Sequence, residues 1–176
     1  MKTKFLWNAM DLKKIKNDYR LEFVSELNFF RDPRFGLIVG VPLGWVDNSN
    51  QDFFQVCEPD LKTYLTASMY RISGLNLAAW TTVRLGTVAQ NMSYLTQIGE
   101  LFQVSGANWI GNAAEYRGTF PNNDFLSRYL VLCITRGEDL ISFTITARDE
   151  EFEKNDQLFR WIIDKALILE SVTAAE

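Results

Sequence analysis

The feature that most narrows the possible folds lies between residues 109 and 169, where three runs with a side-chain period of two are followed by one with a helical period. Residues 109–120 alternate, Pro121-Asn122-Asn123-Asp124 makes a strong turn, and residues 126–135 follow as a run that is apolar on both sides. A strand of that kind belongs near the centre of a sheet. Arg136-Gly137-Glu138-Asp139 then turns the chain back into residues 140–147 as a hairpin. Asp149, Glu150 and Glu151 place acids in a first helical turn, where they complement the helix dipole, and Phe152, Phe159, Ile162, Ile163 and Ala166 form one apolar stripe. Antiparallel strands closed by an amphipathic helix follow from these patterns, with the helix continuing to about residue 169.

Upstream the same two periods recur. Residues 19–29 alternate, with Tyr19, Leu21, Phe23, Leu27 and Phe29 on one face and Arg20, Glu22 and Glu26 on the other. A turn at Arg31-Asp32-Pro33-Arg34 leads into a returning strand over residues 35–41, which Pro42-Leu43-Gly44-Trp45 closes. Two more strands, residues 53–58 and 64–72, are separated by Pro59-Asp60, and Ser73-Gly74 ends the second. From residue 75 to about 94 the period becomes helical, with Ala78, Thr81, Leu85, Val88, Ala89 and Met92 on one stripe. Residues 95–104 fit neither period, and residues 1–18 have a helix-compatible composition. No repeat or linker divides the chain. It therefore reads as an N-terminal extension, residues 1–18, followed by one α+β domain over residues 19–176.

With 176 residues, 47% of them hydrophobic and 24 of them Phe, Tyr or Trp, the chain can bury one sizeable core. A net charge of -4 argues against general nucleic-acid binding, which relies on Lys and Arg to displace counterions. The charge is uneven: the first twenty residues carry +4 and the remainder -8. Cys57 and Cys133 both fall in apolar strand-like runs, which suits reduced core thiols better than a disulfide or a metal site. No apolar run approaches membrane-spanning length, so no stable membrane insertion is expected, and a cytoplasmic protein is.

Catalytic machinery is not apparent. The chain has no histidine, which removes the usual general base and the commonest metal ligand, and it has no phosphate-binding glycine loop, nucleophile elbow or CxxC pair. No cofactor and no metal are expected. A carboxylate pair is the remaining enzymatic route, and Glu115 and Asp149 are its candidates by elimination, although a strand-surface role and a helix-start role fit them better. Trp45, Trp80 and Trp109 are candidate protein-binding residues, because tryptophan supplies the amphipathic anchors concentrated in interface hot spots.

Three segments also carry a resemblance: the strand exit Phe35-Gly36-Leu37-Ile38-Val39-Gly40-Val41-Pro42-Leu43-Gly44-Trp45, the strand Arg128-Tyr129-Leu130-Val131-Leu132, and the strand and helix over residues 140–169. In element order and in these residues, residues 19–169 resemble the PsbP-like fold family, which includes Mog-type Ran-binding proteins, DcrB-type proteins and the Eag chaperones of type VI secretion. The segment before Tyr19 has no counterpart. The resemblance implies an α/β/α sandwich with a central, mainly antiparallel sheet flanked by helices, used mostly to bind other proteins. The expected function is accordingly a non-catalytic protein-binding module. Its first form is a cytoplasmic chaperone or adaptor covering a hydrophobic helix of a secreted effector in an apolar groove. A structural accessory subunit, a small-molecule or lipid-binding domain and a carboxylate-pair enzyme are the alternatives.

Overall fold

The computed structural model describes residues 27–71, 79, 81–84, 87, 93–106, 108–120 and 124–168. The N-terminal extension, the strand expected over residues 19–26, the Ser73-Gly74 stop and most of the turn at 121–124 lie outside these residues.

Strands β1 (Leu27–Asp32) and β2 (Leu37–Pro42) form the expected hairpin. The turn between them is fastened by Arg34, which grips the Asp32 carboxylate and donates to the carbonyls of Asn50 (2.6 Å) and Gln51 (2.8 Å). Next come β3 (Val46–Asp47), β4 (Phe54–Cys57) and β5 (Thr63–Arg71), the first of which is too short to leave a sequence pattern. Ala79, residues 81–84 and Thr87 are helical, as the period over residues 75–94 predicts. That helical run cannot reach residue 94, because β6 (Ser93–Ser105) has begun by then. β7 (Ile110–Thr119), β8 (Ser127–Arg136) and β9 (Asp139–Arg148) follow, and α1 (Asp149–Lys165) leaves β9 without an intervening loop.

The order β3-β4-β5-β9-β8-β7-β6 gives a seven-stranded sheet, antiparallel at every pairing, with β9 in the middle and β8 beside it. A second sheet has the order β1-β2-β10, where β10 is Leu167–Ile168. The expectation of helix to residue 169 is therefore corrected. Ala166 turns the backbone extended (ψ 137°), so that Leu167 and Ile168 pair with Ile38 and Leu37.

Strand alternation sorts the large sheet into two faces. Ala67 of β5, Ala113 of β7, Leu130, Leu132 and Ile134 of β8, and Ile141, Phe143 and Ile145 of β9 share one cluster with Phe152, Phe159 and Trp161 of α1 and Leu37, Val39 and Val41 of β2. Full burial of a Leu, Ile or Phe side chain stabilises by about 1.5–3 kcal/mol, so this is the main core. Ala114, Tyr116, Tyr129 and Val131 cluster on the other face, which buried Thr81 joins and where Arg84 Nε donates to Ser142 Oγ at 2.9 Å. The architecture is thus α+β with a mainly antiparallel sheet. It departs from the expected sandwich in one respect: α1 shares its face of the sheet with the β1-β2-β10 sheet, so strands dominate that layer.

Candidate functional site

Trp45 and Trp109 are buried. Trp45 follows Gly44, whose φ of 99° suits glycine, and its side chain belongs to the main core. Trp109 fastens the end of α1: its Nε1 donates to Ala166 O at 2.8 Å, while Asn108 Nδ2 donates to Ile168 O (2.7 Å) and Ile168 N donates to Asn108 Oδ1 (3.1 Å). Its ring lies against Gly106, where a Cβ would come within 2.1 Å of Trp109 Cε2, and this accounts for the glycine in the Ser105-Gly106 turn. Trp80 lies outside the described residues. The structure therefore does not gather the three tryptophans into one exposed patch: the two it describes bind the chain to itself.

Glu115 and Asp149 fall into one network of arginines between β7, β8 and α1. Buried Glu115 receives Arg128 Nη2 on Oε2 at 2.9 Å and Arg160 Nη2 on Oε1 at 2.5 Å. Arg160 Nε also donates to Asp156 Oδ2 at 2.9 Å, and these carboxylates hold its guanidinium above the ordinary arginine range, Asp156 contributing most. Asp149 Oδ1 accepts Arg117 Nε at 2.8 Å, and Glu153 joins both Arg117 (3.6 Å) and Arg128 (3.9 Å). Both Glu115 oxygens are engaged by guanidinium groups, an arrangement that fixes α1 on the sheet. Among the described residues no three His, Cys, Asp or Glu side chains converge as metal ligands would.

The surface best formed for binding is the outer edge of β6. This strand is thirteen residues long with Glu100 as its single charge, and among the described residues nothing pairs with its outer side. Gly99 has φ 71° and the register with β7 shifts between Ile98 and Phe102, so the strand bulges there. Beyond the bulge, residues 102–105 pair regularly with residues 113–110 of β7. Leu101 is 45% exposed and Ile110, opposite Ser105, is 61% exposed. Beside this half of β6 lies a pocket of about 250 Å³ with Val104, Ala113, Leu130, Leu132 and Ile163 as apolar walls and Arg160 and Asp164 among its polar lining.

No family model matches the sequence, and no curated protein matches it. Solved structures do match. The cyanobacterial PsbP (CyanoP) of Synechocystis superposes with a TM-score of 0.60 at 15% identity, covering 84% of this chain and 95% of its own. LpqN, involved in cell envelope biogenesis of Mycobacterium tuberculosis, superposes with a TM-score of 0.59 at 12% identity, covering 94% and 99%. A protein of unknown function from Pseudomonas aeruginosa gives 0.55 at 10% identity, covering 82% and 98%. The fold is PsbP-like. Identities this low show the fold and nothing of the activity.

Within this PsbP-like frame the β6 edge is what sequence reasoning missed. Leu95 packs on the smaller cluster and Phe102 and Val104 on the main core, the opposite faces that alternation gives an odd separation, so the strand keeps its faces across the bulge. Neither face is cleanly apolar, since Thr96 and Glu100 interrupt one row and Gln97 and Gln103 the other, and residues 95–104 therefore fit no period. Gly99 was the available signal, since an isolated glycine within an otherwise strand-like run marks a bulge.

Proposed function

We propose that this chain is a non-catalytic protein-binding module that takes an extended apolar segment of another protein onto the outer edge of β6. The observation that carries this reading is the juxtaposition of a long, nearly uncharged open edge with an apolar pocket beside the same strand. In strand addition, main-chain hydrogen bonds to the edge supply affinity and a pocket for one side chain supplies specificity. An edge of this length and composition is one that proteins ordinarily shorten, charge or cover.

A chaperone or adaptor that shields an apolar stretch of a secreted effector fits this mode, and the PsbP-like fold supports it as a scaffold. The reading takes the helical segment around Thr81 as the outer layer of an α/β/α sandwich. An extended partner is favoured over a helical one because α1 and β2 already cover the main apolar face of the sheet. The engagement of Glu115 and Asp149 by arginines supports the non-catalytic reading.

Affinity capture with the full chain from its source cells tests this when run beside two variants. Leu101→Lys puts a charge on the edge, and Ala113→Leu fills the pocket. The partner enriched by the unaltered chain is expected to fall at least about tenfold with each variant, the loss typical of an interface hot spot. Equal enrichment by all three proteins would overturn the reading.

A further inference from the structure

A second pocket, of about 290 Å³, opens at the end of the large sheet where β5 and β8 begin and β9 ends. It shares no residue with the pocket beside β6. Tyr64, Phe120 and Phe125 give it aromatic walls, and the buried Ser127 and Thr146 give it hydroxyls. Among the described residues, three charged ones line it. Asp60 and Lys62 pair with each other at 2.7 Å, which leaves Arg148 as the uncompensated charge.

Arg148 lies in an unusual setting for an arginine. Its Nε is buried with no hydrogen-bond partner, and it forms no ion pair among the described residues. Its guanidinium sits over the Phe125 ring, 4.4 Å from the centroid, which fixes its position beside the pocket. A buried donor without an acceptor is costly, and a guanidinium prefers a planar, two-oxygen acceptor such as a carboxylate. Every other arginine of the neighbouring α1 network has a carboxylate, Arg117 with Asp149, Arg128 and Arg160 with Glu115. At Arg148 no such partner is present among the described residues.

We propose that this pocket binds a compact aromatic carboxylate, with the carboxylate accepting from Arg148 and the ring held between Tyr64, Phe120 and Phe125. The volume is near the lower limit for small-molecule sites, about 300 Å³, which suits one ring and a short acidic arm. Burial raises the Tyr64 phenol above its ordinary value, against an opposing contribution from Thr146, so it stays neutral and adds no negative charge to repel the ligand.

The test is a backbone-amide NMR titration of the full chain with phenylacetate and, in parallel, with its neutral counterpart phenylacetamide. Phenylacetate is expected to shift Ser127, Thr146 and Arg148 saturably, and phenylacetamide to bind at least about tenfold more weakly, the loss of one charge-assisted contact. Arg148→Gln should bring phenylacetate down to the level of the amide. The comparison of the two probes on the unaltered chain stands even where that variant does not fold. Equal binding of both probes, unchanged binding by Arg148→Gln, no saturable shift up to the solubility limit, or shifts centred on Ala113 and Leu132 would each overturn the proposal.

Discussion

The two edges of the seven-stranded sheet are finished in opposite ways. At one end β3 is two residues long, and the loop after it closes the strand beneath: Asn48 N donates to Gln55 O at 2.9 Å and Gln55 N donates to Ser49 Oγ at 2.9 Å. Asn48 Nδ2 adds a bond to Gln55 Oε1 at 2.6 Å. The backbone of β4 at Gln55 is thereby satisfied by its own chain. At the other end β6 runs for thirteen residues with one charge, interrupted by a register shift between Ser93 and Thr96 and by the bulge at Gly99. One edge is sealed by local hydrogen bonds and the other is shaped but left open. That difference is what the proposed binding function rests on.

The β6 side has its own fastening, and breaking it sharpens the comparison most. Glu115 holds Arg128 of β8 and Arg160 of α1 from the strand next to β6, and Glu115→Ala leaves the largely buried Arg128 without its main carboxylate. The expected loss is about 3 kcal/mol, the lower end for a broken buried pair because Arg160 is 44% exposed and screened by solvent. Urea denaturation checks the magnitude. Amide exchange should quicken in β6 and β7 and stay unchanged in β4, so uniform acceleration across both edges would contradict the division.

A smaller effect follows from ionisation. Burial raises Cys133 and Tyr129, on the face carrying the smaller cluster, above their ordinary values of 9.0 and 10.0. Where the folded chain resists losing a proton that the unfolded chain gives up, the unfolded state binds fewer protons and stability falls as pH rises. Stability is therefore whole below about pH 9, and is expected to fall by on the order of 1 kcal/mol between about pH 9 and 11. Tyr129→Phe should flatten the upper part of that decline. Denaturation midpoints across the range measure it, and a rise with pH would contradict the assignment.

How much of this could be read from the sequence depended on whether each pattern was local. β8 and β9 were legible because unbroken alternation and a glycine turn specify a hairpin, and α1 because its acids and its apolar stripe agree. β10 was not, since its two residues are extended by pairing with β2, some 130 residues earlier, and by the Asn108 amide. The same holds for the site. Trp109 looked like an interface anchor because its type suits one, yet its indole partner is the carbonyl of Ala166. Arg148 fell between the strand expected over residues 140–147 and the acids that start the helix. Nothing local distinguishes an arginine with a carboxylate across the sheet from one without.

Site-specific photo-crosslinking distinguishes an open β6 edge from a covered one. A photoreactive side chain is placed at Leu101 in one protein and at Val46, 44% exposed on the sealed edge, in another, and both are irradiated in the source cells. One discrete crosslinked partner is expected from position 101, lost when Ala113→Leu is added, and none from position 46. Crosslinks of equal yield from both edges, or none from position 101, would contradict the open edge.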